Sequence, residues 1–188
     1  IPRPELAGIH FTGGTGTFQK IWKSVADNLQ HYKQYPRLVG ETGGKDFILA
    51  HPSADPDAVA TAIVRGSFEY QGQKCSASSR LYLPSNLWPE IRASLERDVP
   101  SIAMGDPRDF TNFMGAVIDE PSFVTQRDAI AEAKAAGAEI VTGGGTDDSE
   151  GWFVEPTVIK TDDPGFRLLR DELDVEIRPQ VGALGAAR

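Results

Sequence analysis

Short apolar segments alternate with amphipathic segments along the 188 residues of the chain. The segment 8–12 is typical of a buried strand. A glycine-rich turn separates it from a stretch with apolar residues three and four positions apart, which is the spacing of an amphipathic helix. The apolar residues of this stretch are Phe18, Ile21, Trp22, Val25, Ala26 and Leu29. The start of the chain therefore predicts a strand, a turn and a helix.

The same alternation continues beyond this helix. Segment 37–40 predicts a strand that leads to Glu41, and Asp55 followed by Pro56 predicts a capped helix start, because aspartate favours the N-cap and proline the first turn. The other predicted elements are strands at 46–50, 79–83, 139–142 and 152–158, a helix with Leu87, Ile91 and Leu95 on one face, and a helix over 122–136 that Gly137 ends. Pro156 indicates that the strand around it lies at a sheet edge. Strands that alternate with helices predict an α/β fold with a largely parallel sheet.

Composition narrows the class of protein. With 40% hydrophobic and 24% charged residues the chain is typical of a soluble globular protein. Its net charge of -8 argues against a nucleic-acid partner, which would need clustered Lys and Arg. One cysteine cannot form a disulfide within the chain, which fits a reducing compartment. Since no apolar run has membrane-spanning length, we expect no membrane partner and a cytoplasmic location.

Metal chemistry is not expected. The histidines His10, His31 and His51 are scattered and lack the spacing of metal ligands. The loop 143–150 contains several acidic residues, but their spacing does not match a calcium-binding loop, and a solvated hairpin is the preferred interpretation.

The single cysteine has neighbours that favour chemistry. Many lone cysteines in intracellular proteins are small buried apolar residues with no catalytic role. The spacing between Glu41 and Cys75 does not by itself exclude this interpretation. Cys75 follows cationic Lys74 and precedes small Ser76 and Ala77, so a charge that favours the thiolate lies beside a sulfur that a substrate can approach. Glu41, upstream and followed by glycines, is a candidate general base, although an ordinary turn glutamate would have the same neighbours.

Two segments carry a resemblance to a known superfamily. The segments Glu41 to Lys45 and Gln71 to Ser76 resemble the two signature segments of the aldehyde dehydrogenases, at the separation that these enzymes use. A closer similarity, to the 1-pyrroline-5-carboxylate dehydrogenase family of proline catabolism, extends from the first residues to Arg170. It rests on the segments 11–13, 35–38, 53–55, 68–70, 73–77, 79–82, 105–107 and 113–119, and on Phe18, Trp22 and Lys23. Lys74, directly before the cysteine, is its most selective element.

The resemblance implies a fold and a domain organisation. The fold would be a three-layer aldehyde-dehydrogenase-like catalytic domain with a largely parallel sheet, plus the last strand and helix of a Rossmann-like cofactor domain. The expected domains are 1–40 as the end of the NAD-binding domain, 41–170 as the catalytic thiol domain and 171–188 as a divergent, disordered tail. Members of this family are much longer, so the chain is expected to be a central to C-terminal piece of an enzyme that forms homo-oligomers at full length.

The resemblance also implies an activity. This is the NAD-dependent oxidation of L-glutamate 5-semialdehyde, formed from 1-pyrroline-5-carboxylate, to L-glutamate through a cysteine thioester. Cys75 would be the nucleophile and Glu41 the general base, with Lys74 and Ser76 as contacts for the carboxylate-bearing aldehyde substrate. The residues expected to bind NAD are Gly13, Gly14, Thr42, Gly43 and Glu172. The glycine turn lacks the third glycine of the dinucleotide fingerprint, since Gln19 stands there, so this cofactor site is implied by the resemblance alone. In a eukaryote the expected location becomes the mitochondrial matrix.

The chain departs from the family pattern after Arg170. Relatives read Glu-Glu-Ile-Phe-Gly-Pro-Val where this chain reads Asp-Glu-Leu-Asp-Val-Glu-Ile over 171–177. Glu172 matches the carboxylate that holds the nicotinamide ribose, whereas Asp174 replaces an aromatic residue. The alternatives to the implied activity are a general aldehyde dehydrogenase, a truncated non-catalytic remnant or fragment of such an enzyme, and a cysteine hydrolase with His51 or His31 as base.

Overall fold

The computed structural model describes residues 1–171 and the strand Val181–Ala187. The chain divides into two compact units, Ile1–Gly44 and Lys45–Arg188. The division falls close to the expected boundary after residue 40. The assignment of a cofactor role to the first unit and a thiol role to the second stays a prediction.

The first unit contains the predicted strand, turn and helix. Its elements are β1 (Gly8–Thr12), α1 (Thr15–Asp27), a 3₁₀ turn (Leu29–His31) and β2 (Arg37–Glu41). Strands β1 and β2 pair in parallel. Gly40 of β2 allows α1 to approach, because a Cβ atom there would lie 2.3 Å from the ring of Phe18.

The apolar face of α1 is covered less than its pattern suggests. Val25 is the buried residue of this helix, whereas Trp22 is 55% exposed. Phe18 packs between other aromatic rings, with its centroid 5.8 Å from that of Phe11 and 5.6 Å from that of Trp22. In the described residues of this unit the helix packs on a sheet of two strands, and part of its apolar face stays exposed.

The second unit is built around a five-stranded sheet. The strands of this unit are β3 (Asp46–Leu49), β4 (Ser78–Pro84), β5 (Glu139–Thr142), β6 (Thr146–Asp147), β7 (Phe153–Val154), β8 (Thr157–Thr161) and β9 (Val181–Ala187). The helices of this unit are α2 (Pro56–Phe68), α3 (Trp88–Asp98), α4 (Glu120–Ala135) and α5 (Arg167–Arg170), with a turn of positive φ within Glu69–Gly72 and a 3₁₀ turn at Val99–Ser101. The sheet order is β3-β4-β9-β8-β5, and only the β5–β8 pair is antiparallel. Strands β6 and β7 form a separate hairpin.

The sheet lies between two helical layers. Val158 belongs to the core cluster of α2 and α3, whereas Ile159 belongs to that of α4 and α5. Neighbouring residues of a strand face opposite sides of its sheet, so the two clusters lie on opposite faces. The predicted three-layer α/β fold with a largely parallel sheet is therefore confirmed.

Aspartate caps fix where two of the long helices begin. A carboxylate oxygen of Asp55 accepts the backbone N–H of Ala58 at 3.0 Å, and one of Asp119 accepts that of Ser122 at 2.9 Å. Gly137, with φ 78°, follows the end of α4 as expected. None of the helices in the described ranges is long and apolar enough to cross a membrane.

Two expectations differ from the structure. The predicted strand over 152–158 is divided into β7 and β8, with Pro156 outside both, and β8 lies inside the sheet rather than at an edge. The proline ends one strand before the next begins, because it cannot donate to a ladder. The tail was expected to be disordered, yet Val181–Ala187 forms β9 between β4 and β8. Residues 172–180 and 188 of that tail lie outside the described residues.

Candidate active site

Cys75 lies on the loop between α2 and β4, and its side chain is exposed. Both ends of the loop are fixed in the core. Phe68, the last residue of α2, is fully buried, and Ser67 Oγ donates a hydrogen bond to the carbonyl oxygen of Ser78 at 2.8 Å. The thiol is therefore presented at the surface by a loop that begins and ends in packed structure. Ser76, the second predicted substrate contact on this loop, is also exposed.

Lys74 makes a contact that the sequence pattern did not reveal. Its ammonium lies 2.5 Å from one carboxylate oxygen of Glu69, and Arg65 binds the other oxygen at 2.6 Å. The hydrogen bond from Lys74, its charge and that of Arg65 hold the pKa of Glu69 below its usual range. The charge that was expected to act on Cys75 and on the substrate carboxylate is thus shared with Glu69. The spacing of Arg65 and Glu69, four residues apart at the end of a helix, was the available signal.

Two glutamines of the same segment were also missed. Gln71 and Gln73 bond to backbone groups of Ala116 and Ile118, far along the chain. A sequence offers no pairing rule for such long-range contacts.

The first unit brings two predicted site residues together. The backbone N–H of Gly13 donates to the carbonyl oxygen of Glu41 at 3.1 Å, at the ends of the paired strands β1 and β2. A Cβ atom at Gly13 would lie 2.7 Å from the ring of Phe11, so glycine is needed there. The Glu41 residue is exposed, and Gly14 is the N-cap of α1.

The remaining predicted residues are distributed as follows. Thr42 and Gly43 lie on the loop between β2 and β3. Glu41 belongs to the first compact unit and Cys75 to the second, and the expectation that the carboxylate reaches the thiol stays a prediction. Glu172 lies outside the described residues.

His51 has a local role in its turn. Its Nδ1 accepts the backbone N–H of Ser53 at 3.2 Å and lies 2.8 Å from the Ser53 hydroxyl oxygen. This contact spans two residues and orients the turn before α2. It offers no support for a cysteine hydrolase that uses His51 as its base.

Comparison with known proteins identifies the family. The model of the aldehyde dehydrogenase family matches residues 1–174. The chain belongs to this family. The segments around Glu41 and Cys75 lie within the matched region.

Within the family the chain is similar to 1-pyrroline-5-carboxylate dehydrogenases. It is 51% identical over 172 residues to the mitochondrial delta-1-pyrroline-5-carboxylate dehydrogenase of Dictyostelium discoideum, covering 90% of the chain and 31% of that protein. The NAD-bound crystal structure of the Mycobacterium tuberculosis enzyme has a TM-score of 0.87 at 45% identity, over 99% of this chain and 33% of that one. The NAD-bound Thermus enzyme has a TM-score of 0.86 at 27% identity, over 100% and 35%. The chain thus spans about a third of the length of these relatives.

Proposed function

We propose that this chain supplies the thiol-bearing part of an NAD-dependent 1-pyrroline-5-carboxylate dehydrogenase, which oxidises L-glutamate 5-semialdehyde to L-glutamate. The observation that carries the proposal is the exposed Cys75, directly after Lys74, on a loop whose two ends are held by packed residues. The chain that contains it is 51% identical to a delta-1-pyrroline-5-carboxylate dehydrogenase. We further propose that a eukaryotic form acts in mitochondria, as the names of several relatives indicate.

Cys75 is the proposed nucleophile. Its thiolate would add to the aldehyde carbon, and the carbonyl oxygen would become an alkoxide that the backbone N–H of Cys75 can stabilise. A soft thiolate attacks carbonyls at neutral pH, and the thioester that follows is easily hydrolysed. The exposure of this side chain supports the proposal, because a buried thiol could not meet a substrate.

Glu41 is the proposed general base for the second half of the reaction. Its carboxylate would take a proton from the water that attacks the thioester carbon, which releases glutamate and restores the thiolate. Its position at the end of β2, with glycines after it, leaves the side chain exposed for this role. The hydrogen bond from Gly13 to its carbonyl oxygen fixes its backbone.

NAD is the proposed cofactor, and the start of α1 fits it. The first turn of this helix contains no acidic residue, its N-cap is Gly14, and no side chain caps it. Backbone N–H groups at the positive end of the helix dipole favour an anion such as a pyrophosphate. Gly13, Gly14, Thr42, Gly43 and Glu172 are the residues proposed to hold the cofactor. When bound, NAD would supply the hydride acceptor that the oxidation needs.

Lys74 and Ser76 are proposed contacts for the far carboxylate of the substrate. Both lie beside Cys75, and a cation and a hydroxyl are suitable partners for a carboxylate. The Glu69 carboxylate already binds Lys74 at 2.5 Å, so the substrate must share this ammonium or displace Glu69.

The test is a comparison of aldehydes with the full natural polypeptide that contains this sequence. NADH formation is measured with 1-pyrroline-5-carboxylate and with short aliphatic aldehydes at matched concentrations. We expect a higher kcat/KM for 1-pyrroline-5-carboxylate. Efficient turnover of the aliphatic aldehydes without turnover of this substrate would instead assign a general aldehyde dehydrogenase.

A further inference from the structure

The backbone directly before Cys75 has an unusual conformation. Tyr70, Gln71 and Gly72 are successive residues with φ values of 56°, 56° and 64°. Glycine adopts this left-handed region without cost, but two neighbouring non-glycine residues do not, so surrounding contacts must hold them there. The Tyr70 side chain is largely exposed and cannot supply those contacts. Strain of this kind is retained where the surroundings determine the conformation, often at functional sites.

The N–H of Gln73 donates to the carbonyl oxygen of Tyr70 at 3.1 Å and closes the turn, and two glutamine side chains connect it to the rest of the unit. Gln71 Nε2 donates to the carbonyl oxygen of Ala116 at 3.3 Å, and Gln73 Oε1 accepts the backbone N–H of Ile118 at 3.1 Å. The backbone partners settle the orientation of each amide, since a carbonyl requires a donor and an N–H requires an acceptor. The turn is thus fastened on both sides of Gly72 to one short segment, 116–118.

That segment is itself firmly held. The carbonyl oxygen of Met114 accepts the N–H of Gly105 at 3.0 Å, and the N–H of Val117 donates to the carbonyl oxygen of Trp152 at 2.8 Å. Met114 and Val117 are both buried in the core. The glutamines therefore connect the cysteine loop to a packed part of the molecule rather than to another loose loop.

Gly115, next to Ala116, decides whether the Gln71 amide fits. A Cβ atom at this position would lie 2.8 Å from Gln71 Nε2. Any other residue would displace the Gln71 amide from Ala116. The absence of a side chain at Gly115 leaves room for the amide.

We propose that Gln71 and Gln73 are positioning residues, which hold the left-handed turn and thereby determine where the Cys75 thiol meets its substrate. The inference rests on the proposed function of Cys75. Neither glutamine reacts. Each acts through the backbone, and rate depends steeply on the placement of a nucleophile relative to a bound carbonyl.

The two glutamines make different demands on a replacement. Gln73 only accepts, so Gln73→Glu keeps an acceptor for Ile118, whereas Gln73→Leu removes it. Gln71 only donates, so Gln71→Glu places a carboxylate against the carbonyl oxygen of Ala116 and should disrupt the contact. The two Gln→Glu substitutions add the same charge but have opposite expected effects. Exposed Gln34, in the other compact unit, offers Gln34→Glu as a control for charge alone.

The experiment uses the full natural polypeptide and two readouts. Hydrogen exchange at the Ile118 amide reports the contact itself, and kcat with 1-pyrroline-5-carboxylate reports its consequence. We expect Gln73→Leu to speed exchange at Ile118 and to lower kcat by about 10- to 100-fold, in the range for loss of placement. Gln73→Glu should recover most of both losses. Gln71→Glu and Gly115→Ala should lower kcat, with the KM for NAD unchanged.

Alkylation of Cys75 by iodoacetamide separates positioning from loss of the fold. A small reagent needs no alignment with a bound substrate, so its rate should change less than twofold in variants with lowered kcat. Faster exchange at Ile118 with unchanged kcat would overturn the proposal, as would equal effects of Gln73→Glu and Gln73→Leu on kcat. If the wild-type protein does not oxidise 1-pyrroline-5-carboxylate, the proposed function fails. The exchange data then still decide whether the glutamines hold the turn.

Discussion

The ammonium of Lys74, the residue directly before the proposed nucleophile Cys75, lies 2.5 Å from a carboxylate oxygen of Glu69. Glu69 also binds Arg65, so this carboxylate offsets two positive charges, one of them on the residue next to Cys75. The pKa of Glu69 lies below its usual range, so the carboxylate stays charged at neutral pH and below.

This pair predicts that Glu69→Gln makes Cys75 more reactive. The substitution leaves the charge of Lys74 without its counterion, which favours the thiolate form. We expect iodoacetamide to react up to about fivefold faster near neutral pH, the scale of a partly exposed ion pair. Exposed Glu90 provides the control Glu90→Gln, which should have no effect. A second substitution, Lys74→Met, should cancel the gain, and persistence of the gain in that double variant would contradict the explanation.

Stability should depend on pH through Glu132 and Arg167. The guanidinium Nε of Arg167 donates to Glu132 at 2.9 Å and holds the pKa of this carboxyl below its usual range. A lowered pKa stabilises the fold above the ordinary carboxylate range, and this stabilisation is lost as the pH falls through the lowered pKa. Glu132→Gln should therefore lower the free energy of unfolding at neutral pH by at most about 1 kcal/mol, since both side chains are partly exposed.

Urea titrations at a series of pH values check this prediction. The difference between Glu132→Gln and the wild-type chain should narrow as the pH decreases. Glu150→Gln, in the exposed loop before β7, serves as the control. A difference that grows on acidification would mean that the pair does not act as described.

Strand β9 is predicted to hold the sheet together. It pairs with β4 on one side and β8 on the other, and those two strands are not neighbours in the sheet. Ala183→Pro removes an N–H from the middle of this strand, where proline is hardly ever tolerated. We expect a clear loss of stability in urea unfolding, and a smaller loss for Ala187→Pro at the strand end. If neither substitution lowered the free energy of unfolding, β9 would contribute little to stability.

Two leucines on neighbouring strands provide a matched test of the core. Leu81 of β4 is fully buried among residues of α2 and α3, whereas Leu49 of β3 is 67% exposed. Leu81→Ala should lower the free energy of unfolding by about 2–5 kcal/mol, because it removes buried apolar contacts and leaves a cavity. Leu49→Ala should change it by less than about 0.5 kcal/mol. Similar losses of unfolding free energy for the two variants in urea titrations would be inconsistent with this core.

The sequence could predict those features of the fold that depend on neighbouring residues, such as helix starts and buried helix faces. Asp55 before Pro56 identified the start of α2 because cap and first-turn preferences act within a few residues. Ile91 and Leu95 identified the buried face of α3 because helical spacing places them together. The three-layer arrangement required the resemblance, since alternation alone does not fix the order of strands.

The parts that could not be predicted depend on contacts between distant residues. Segment 181–187, rich in glycine and alanine, resembles a disordered tail, and only its pairing with β4 and β8 makes it a strand. A partner nearby in sequence was missed too: Lys74 was predicted as a substrate contact, and the turn brings it to Glu69, five residues earlier. Gln71 and Gln73 have partners 45 residues away. No local preference predicts such contacts.

The most direct test of the central claim is the time course of NADH formation from 1-pyrroline-5-carboxylate by the full natural polypeptide and two variants. Cys75→Ser should lose turnover by at least about 100-fold, because the nucleophile is replaced. Glu41→Gln should still produce NADH once per site and then slow by about 100-fold or more, because hydrolysis loses its base while attack remains. Turnover by Cys75→Ser at the wild-type rate would contradict the account. A Glu41→Gln time course that lacks the initial NADH per site, or that afterwards continues at the wild-type rate, would also contradict it.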